Sequence, residues 1–340
     1  MLMELVILVV KILVVIVALL SGFAVLTWLE RRLVAGFQVR YGPNRVGPLG
    51  LLQPAADGLK LAMKEDITPS AADRVVFIVA PITALVAALL AFAPIPFGPD
   101  VEIAGRRIPL SIAGDLPIGF LFTLAVASLG VYGIVLAGWS SGSKYSLFGG
   151  MRSSAQMISY ELAMGLALVA VLIVTGTPQL DVIVSQGRWL IGPQFVAFVI
   201  FFIAMIAETN RAPFDLVEAE QELVAGFHTE YTSFKFALFY MAEYVNMITF
   251  SALAVCLFLG GWHGPGASGS TWWGALLGVL YFLAKTFVFM FVFIWIRATL
   301  PRIRYDRLMA LGWKVLLPAA LLWVVITATW VASRGGAVGG

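Results

Sequence analysis

Ala207-Glu208-Thr209-Asn210-Arg211-Ala212-Pro213-Phe214-Asp215-Leu216-Val217-Glu218-Ala219-Glu220-Gln221-Glu222-Leu223-Val224-Ala225-Gly226-Phe227-His228-Thr229-Glu230-Tyr231 lies between two apolar runs and sets six acids against one arginine. The rest of the chain is the reverse of this. Of 340 residues, 61% are hydrophobic and 12% charged, with a mean hydropathy of +0.95. Soluble domains hold about 45–50% apolar residues. The acidic stretch therefore reads as a loop between membrane-embedded helices, and residues 1–340 as one integral membrane domain.

Eight runs approach the roughly 20 apolar residues that a hydrocarbon core requires. They cover about 5–29, 75–97, 117–139, 155–177, 190–209, 236–262, 272–296 and 310–332. The fifth is the weakest, uninterrupted only over 195–207. The first is too long for a signal-peptide core and contains Lys11, so it reads as an uncleaved span. Sixteen Lys and Arg fall in the connections after odd-numbered spans, and four (Arg106, Arg107, Arg188, Arg334) on the other face. The positive-inside rule then places loops 1, 3, 5 and 7 in the cytoplasm and both termini outside. The basic balance follows from this orientation and gives no reason to invoke nucleic acid.

In loop 1, Leu52, Ala55, Ala56, Leu59, Ala62 and Met63 recur at helical spacing, with Gln53, Asp57, Lys60 and Lys64 opposite. Pro54 suits the first turn. This amphipathic helix is too short and charged to span, and belongs at the membrane interface or against a partner. Loops 2 and 4 read as short external connectors without chemistry. The fold class expected is all-α and polytopic, with eight spans, this interfacial helix, and an acidic helical loop between spans 5 and 6.

A single cysteine, Cys256, excludes an intrachain disulfide. Two histidines and one cysteine fall short of the ligands that an iron–sulfur cluster takes. His228 and His263 lie in loops of opposite sidedness, which argues against a shared haem. There is no glycine-rich phosphate loop. Redox and nucleotide chemistry is expected on other chains.

Ionisable groups inside spans cost about 2.5–3.5 kcal/mol each on insertion scales, so each calls for a reason. They are Lys11, Glu161, Glu208, Glu243 and Lys285. Glu161 lies nine residues past Arg152 and Glu243 eight past Lys235, which places both ~12–14 Å from the cytoplasmic end. Glu208 stands just before Arg211. A polar path from the cytoplasm would have this distribution, and so, one residue at a time, would glutamates that merely hold helices together. Lys11 is equally compatible with snorkelling outward. Arginines that close spans, such as Arg31 and Arg297, are accounted for as anchors on the positive face. In the acidic stretch, Asp215 and Glu218 fit a capping box, and Gly226 fits a helix end. Leu216, Ala219, Leu223 and Phe227 form an apolar stripe, while Glu218 and Glu222 repel mildly at i, i+4. A solvated acidic helix accounts for Glu220 and Glu230. It does not account for six acids on the positive face beside a span ending in Glu208, which suits a protonic antechamber under a docked partner.

These residues resemble a known family. The stretch Glu208–Tyr231 is similar to the signature of the quinone-site membrane subunit of respiratory complex I, the proton-translocating NADH:quinone oxidoreductase (subunit 1 in mitochondria, the H-type subunit in bacteria). So are Leu29-Glu30-Arg31-Arg32, Tyr41-Gly42-Pro43-Asn44-Arg45-Val46-Gly47-Pro48, Gln53-Pro54-Ala55-Ala56-Asp57-Gly58-Leu59-Lys60 and Ser143-Lys144-Tyr145. Further matches are Gln156-Met157-Ile158-Ser159-Tyr160-Glu161, Ala242-Glu243-Tyr244 and Arg297-Ala298-Thr299-Leu300-Pro301-Arg302. The pattern departs at Val217, where the family usually has proline.

The resemblance implies eight spans with both termini outside, in a bacterial plasma membrane. It implies a quinone tunnel walled by Glu30, Arg31, Asp57, Lys60, Arg211 and Phe227. It also implies proton-coupling roles for Glu161, Glu208, Asp215, Glu218, Glu220, Glu222, Glu243 and Tyr244. Quinone would be the substrate, FMN and iron–sulfur clusters would sit on partner subunits, and this chain would bind no metal. The partners implied are peripheral-arm subunits, antiporter-like membrane subunits and the lipid bilayer. The chain would be part of an enzyme, a translocase, and not catalytic alone. A homologous component of a membrane-bound hydrogenase or other non-NADH complex is one alternative, and a free-standing transporter another. The transporter lacks support from paired Gly/Pro-broken segments in the two halves.

Overall fold

In hydrocarbon every backbone N–H and C=O must be satisfied within its own segment, so long apolar runs have no stable alternative to helix. The computed structural model describes residues 2–103, 106–215, 224–267 and 271–334. Its helices are α1 (Leu2–Phe37), α2 (Gln53–Met63), α3 (Arg74–Ala91), α4 (Gly119–Ser140), α5 (Lys144–Thr175) and α6 (Leu180–Ser185). They continue with α7 (Phe195–Glu208), α8 (Ser233–Phe258), α9 (Trp272–Thr299), α10 (Tyr305–Leu311) and α11 (Leu317–Ser333). The last two are joined through a π-turn, Gly312–Leu316, into one rod.

Among the described residues, seven helices are long and apolar enough to cross a membrane. The fifth expected span is the exception. Here α7 has 14 residues, about 21 Å at 1.5 Å per residue, against ~30 Å of hydrocarbon. Gly192-Pro193 keeps the preceding residues from extending it. Loop 2 departs from the all-helical expectation by forming a small antiparallel pair, β1 (Val101–Ile103) with β2 (Arg106–Ile108). Each strand ends on a β-branched isoleucine, a residue type that a pleated surface favours. As expected, α2 is a surface helix with Pro54 in its first turn, and it has no buried residue.

The central post is α8: 78% of its most apolar window is buried, against 11% for α1. Around it α3 packs on α4 and α8, α4 on α5, and α5 on α7 and α11. Small side chains allow the closest approach. A Cβ at Gly133 of α4 would lie 2.9 Å from the backbone nitrogen of Ala84 on α3.

Two intramembrane lysines prove to be fasteners. Lys285 Nζ donates to the carbonyls of Leu259, Gly261 and His263 at 2.9, 2.8 and 2.8 Å. All three ammonium protons are thus engaged, at the C-terminal end of α8, where a cation is favoured. Lys11 Nζ reaches Pro109 O (3.1 Å) and Ser111 O (2.9 Å) in loop 2. The connector after α5 carries an acid on the same side, Asp181. Burial, with Asp100 and Asp115 nearby, lifts its pKa to about 6 against the pull of Lys11.

Candidate functional site

The reversal after α7 builds the site. Thr209 Oγ1 bonds back to Met205 O at 3.0 Å, and Asn210 takes a left-handed conformation, φ 50°, which asparagine tolerates better than most residues. Ala212–Pro213 is a cis peptide. The Arg211 N–H returns to Ile206 O (3.3 Å), and the Ile303 N–H bonds Pro213 O (3.0 Å). The chain therefore folds Arg211 back into the bundle, where it is only 6% exposed.

There it meets charges from two helices. Arg211 Nε lies 2.8 Å from Glu243 Oε1 of α8, and Nη1 lies 3.4 Å from Glu30 Oε1 of α1. Its guanidinium sits 4.1 Å over the Tyr244 ring. The Nε contact is close but poorly aligned for a hydrogen bond, so it is chiefly ionic, and Nη2 has no acceptor among the described residues. Burial works against the Arg211 charge, but Glu243, Tyr244 and Glu30 more than offset it, leaving the pKa well above its ordinary value. Glu30 also takes a hydrogen bond from Tyr244 Oη at 2.5 Å and pairs with Arg297 of α9. Two acids against two arginines make a charge-balanced cluster, buried at Glu30 and Arg211 and half-buried at Glu243 and Arg297, and such pairing is the condition under which charges can be held out of water.

The cluster separates two cavities. One is an open cleft of about 510 Å³ bounded by Glu30, Arg31, Tyr41, Tyr240, Tyr244 and Arg297. The other, about 60 Å³, is lined by Glu208, Asp215, Phe227, His228, Glu243 and Asn246, among others. Tyr240 lines both, and its hydroxyl is 3.1 Å from that of Tyr244. Within the second cavity, Glu208 Oε2 and Asn246 Oδ1 are buried with no hydrogen-bond partner among the described residues. Leaving such atoms unsatisfied costs about 1–3 kcal/mol each, so the space beside these two oxygens is suited to water. Glu161 accepts a hydrogen bond from Ser128 and opens on a separate, largely apolar groove between α4, α5 and α11. It remains close enough for Glu208 to feel its charge.

His228 edges the second cavity between the rings of Phe227 and Phe236, at 5.0 and 5.4 Å. Burial lowers its pKa to about 4, although Asp215 works in the opposite direction. Between that value and the ordinary 6.5, the unfolded chain binds more protons than the folded one, so stability falls as pH falls through this window. The whole window is worth at most about 3 kcal/mol. H228Q should lose less thermal stability than the wild type between pH 7 and pH 5, measured on the purified complex; equal losses would refute this assignment.

The structure brings Glu30, Arg211, Glu243 and Tyr244 together, and places Glu208 and Asp215 on the Glu243 cavity. Arg31 pairs with Asp57 at 2.5 Å on the surface, while Lys60 stays exposed on α2. Phe227 lines the cavity of the acids and packs on Phe239 at 5.0 Å. Gly226-Phe227-His228 forms a single tight turn. Glu218, Glu220, Glu222 and the capping box lie outside the described residues. Sequence alone presents Arg297 as an interfacial anchor and assigns no role to Tyr240, His228 or Asn246. The i, i+4 pair Tyr240/Tyr244 and the i, i+3 pair Glu243/Asn246 are the available signals, a polar stripe down an apolar helix.

Among the described residues, no group of three or more His, Cys, Asp and Glu could hold a metal ion. A family model described as NADH dehydrogenase matches residues 10–328. The chain is also 54% identical over 330 residues to an H-type subunit of NADH-quinone oxidoreductase, the copy numbered 1, from Geobacter sulfurreducens (strain ATCC 51573 / DSM 12127 / PCA). That alignment covers 93% of this chain and 92% of the relative. A match that runs from within α1 to within α11 takes in every element of the two cavities, and the chain belongs to the NADH dehydrogenase family, that of the H-type membrane component of the multisubunit NADH-quinone oxidoreductase.

Proposed function

We propose that the cleft beside Glu30 is the quinone passage, and that the Glu30–Arg211–Glu243 cluster links quinone reduction there to proton movement through the second cavity. The observation that carries this reading is the shared arginine. Arg211 touches Glu30 on the cleft side and Glu243 on the other. A change of charge in the cleft alters the hold of Glu30 on Arg211, and so the field at Glu243. Glu243 shares a cavity with Glu208 and Asp215, and Glu208 is coupled to Glu161. Carboxylates in such a series can exchange protons through water. Glu218, Glu220 and Glu222 would add charge to the same loop.

In this reading the chain crosses the membrane eight times, with α7 as the short fifth span. Both termini are outside, and the loops bearing Arg31, Arg211 and Arg297 face the cytoplasm of a bacterial cell. Electrons come from iron–sulfur clusters and FMN on peripheral-arm partners. Protons leave toward antiporter-like membrane subunits past Glu161, whose groove faces outward from the bundle. Arg31, Asp57 and Lys60 frame the mouth of the passage. The Geobacter relative is named for NADH and quinone, which supports that donor over a hydrogenase.

A photoreactive quinone analogue added to the assembled complex should label the cleft at Tyr41 or Tyr240, with unlabelled quinone competing. Labelling confined to other surfaces would refute the passage.

A further inference from the structure

We infer that Gln156 of α5 is a positioning residue for coupling: its side-chain amide fixes the turn that carries Glu208 and Arg211. This rests on the function proposed above. Gln156 is fully buried. Its Nε2 lies 2.8 Å from Ala207 O, 3.0 Å from Phe214 O and 3.3 Å from Asn210 Oδ1. One amide therefore spans the whole reversal, from the last turn of α7 to the residue before Asp215. The orientation is fixed by chemistry, since flipping the amide would set an oxygen against three acceptors. Only a side chain with two N–H donors at this length serves. Leucine or methionine has no donor, ionised glutamate none, and asparagine falls short.

The turn has backbone hydrogen bonds of its own, such as Arg211 N–H to Ile206 O and Phe214 N–H to Arg211 O, and the Gln156 amide is the side chain that ties its two ends together. Asn210 is left-handed, and Glu208 Oε2 makes no hydrogen bond among the described residues that would anchor it. Glu161 lies five residues on along α5. One helix therefore sets both the carboxyl that acts on Glu208 and the amide that places it. A displacement of the turn would move Glu208 relative to Glu161, and Arg211 relative to Glu30 and Glu243. Since proton transfer and ion pairing both fall steeply with distance, coupling should suffer before the bundle does.

The test uses the assembled complex in membranes carrying Q156M or Q156E, with E208Q in parallel. Two quantities are read: hydrogen exchange of segment 207–214, and protons translocated per electron per assembled complex. Loss of a buried donor should speed exchange of the segment about tenfold or more, leave α8 protected, and lower the proton-to-electron ratio at least about twofold. A purely structural glutamine would change the amount assembled and not this ratio. Unchanged exchange overturns the inference, and so does faster exchange with a wild-type ratio while E208Q fails to pump. If E208Q also pumps normally, the proposed function has failed instead. Failure of both Gln156 variants to assemble assigns the residue to folding alone and overturns the inference too.

Discussion

Glu208→Gln is expected to cut proton translocation by the assembled complex severely, while NADH oxidation with an artificial acceptor continues at the wild-type rate. Glutamine keeps the volume of a side chain that is only 2% exposed. Because Oε2 has no partner among the described residues, the substitution breaks no hydrogen bond to that atom, and the fold should persist. What disappears is an exchangeable proton. A positioned acid–base group typically contributes about 10²–10⁴-fold to a proton-transfer step, so the ratio of protons to electrons should drop several-fold, and quinone reduction should slow as far as it is tightly coupled. Glu208→Asp should fall between the two. Full pumping stoichiometry in the glutamine variant would exclude Glu208 from the path.

Glu30→Ala should have the largest effect on stability. Glu30 is 6% exposed and is touched by Arg211, Arg297 and Tyr244. Removing its charge leaves the buried Arg211 and the half-buried Arg297 with only Glu243 left of the cluster's acids. Breaking a buried ion pair by taking away one partner costs about 3–5 kcal/mol, enough to lower the yield of assembled complex and its thermal midpoint. Because the penalty is an uncompensated charge, the double variant E30Q/R297M should lose much less than the sum of the single changes. Additive losses would mean that the two residues act independently and that the cluster is not an electrostatic unit.

Much of this architecture is legible in residue order. The presence of the long helices and of α2 follows from hydrophobic length and helical spacing, which are local. The loop 2 hairpin is not legible, because three-residue strands leave no periodic trace. Arg297 escapes for a different reason. An arginine ending a span is usually an anchor, and only the packing of α9 against α1 turns this one inward onto Glu30. The pairing of Lys285 with three carbonyls is hidden in the same way, since loop carbonyls have no signature in sequence. Glu161 and Glu208 can be recognised as out of place in an apolar span. That Arg211 bridges Glu30 and Glu243 depends on a reversal set by Asn210 and Gln156, which no periodicity records.

The shortness of α7 has a consequence for how the chain is made. A helix of 14 residues, preceded by Gly192-Pro193 and closed by Glu208, is a weak signal for lateral release into lipid, because it falls below the ~20 residues that fill the hydrocarbon. The following helix, α8, is long enough but buries most of its surface in the finished bundle. Neither is at ease in lipid alone. If α7 is the short fifth span of the proposed topology, the two are best inserted as a pair. On that topology, α7 is expected to be committed to the membrane only once residue 258 has been synthesised. Arg211 would then gain its Glu243 partner only with the arrival of α8.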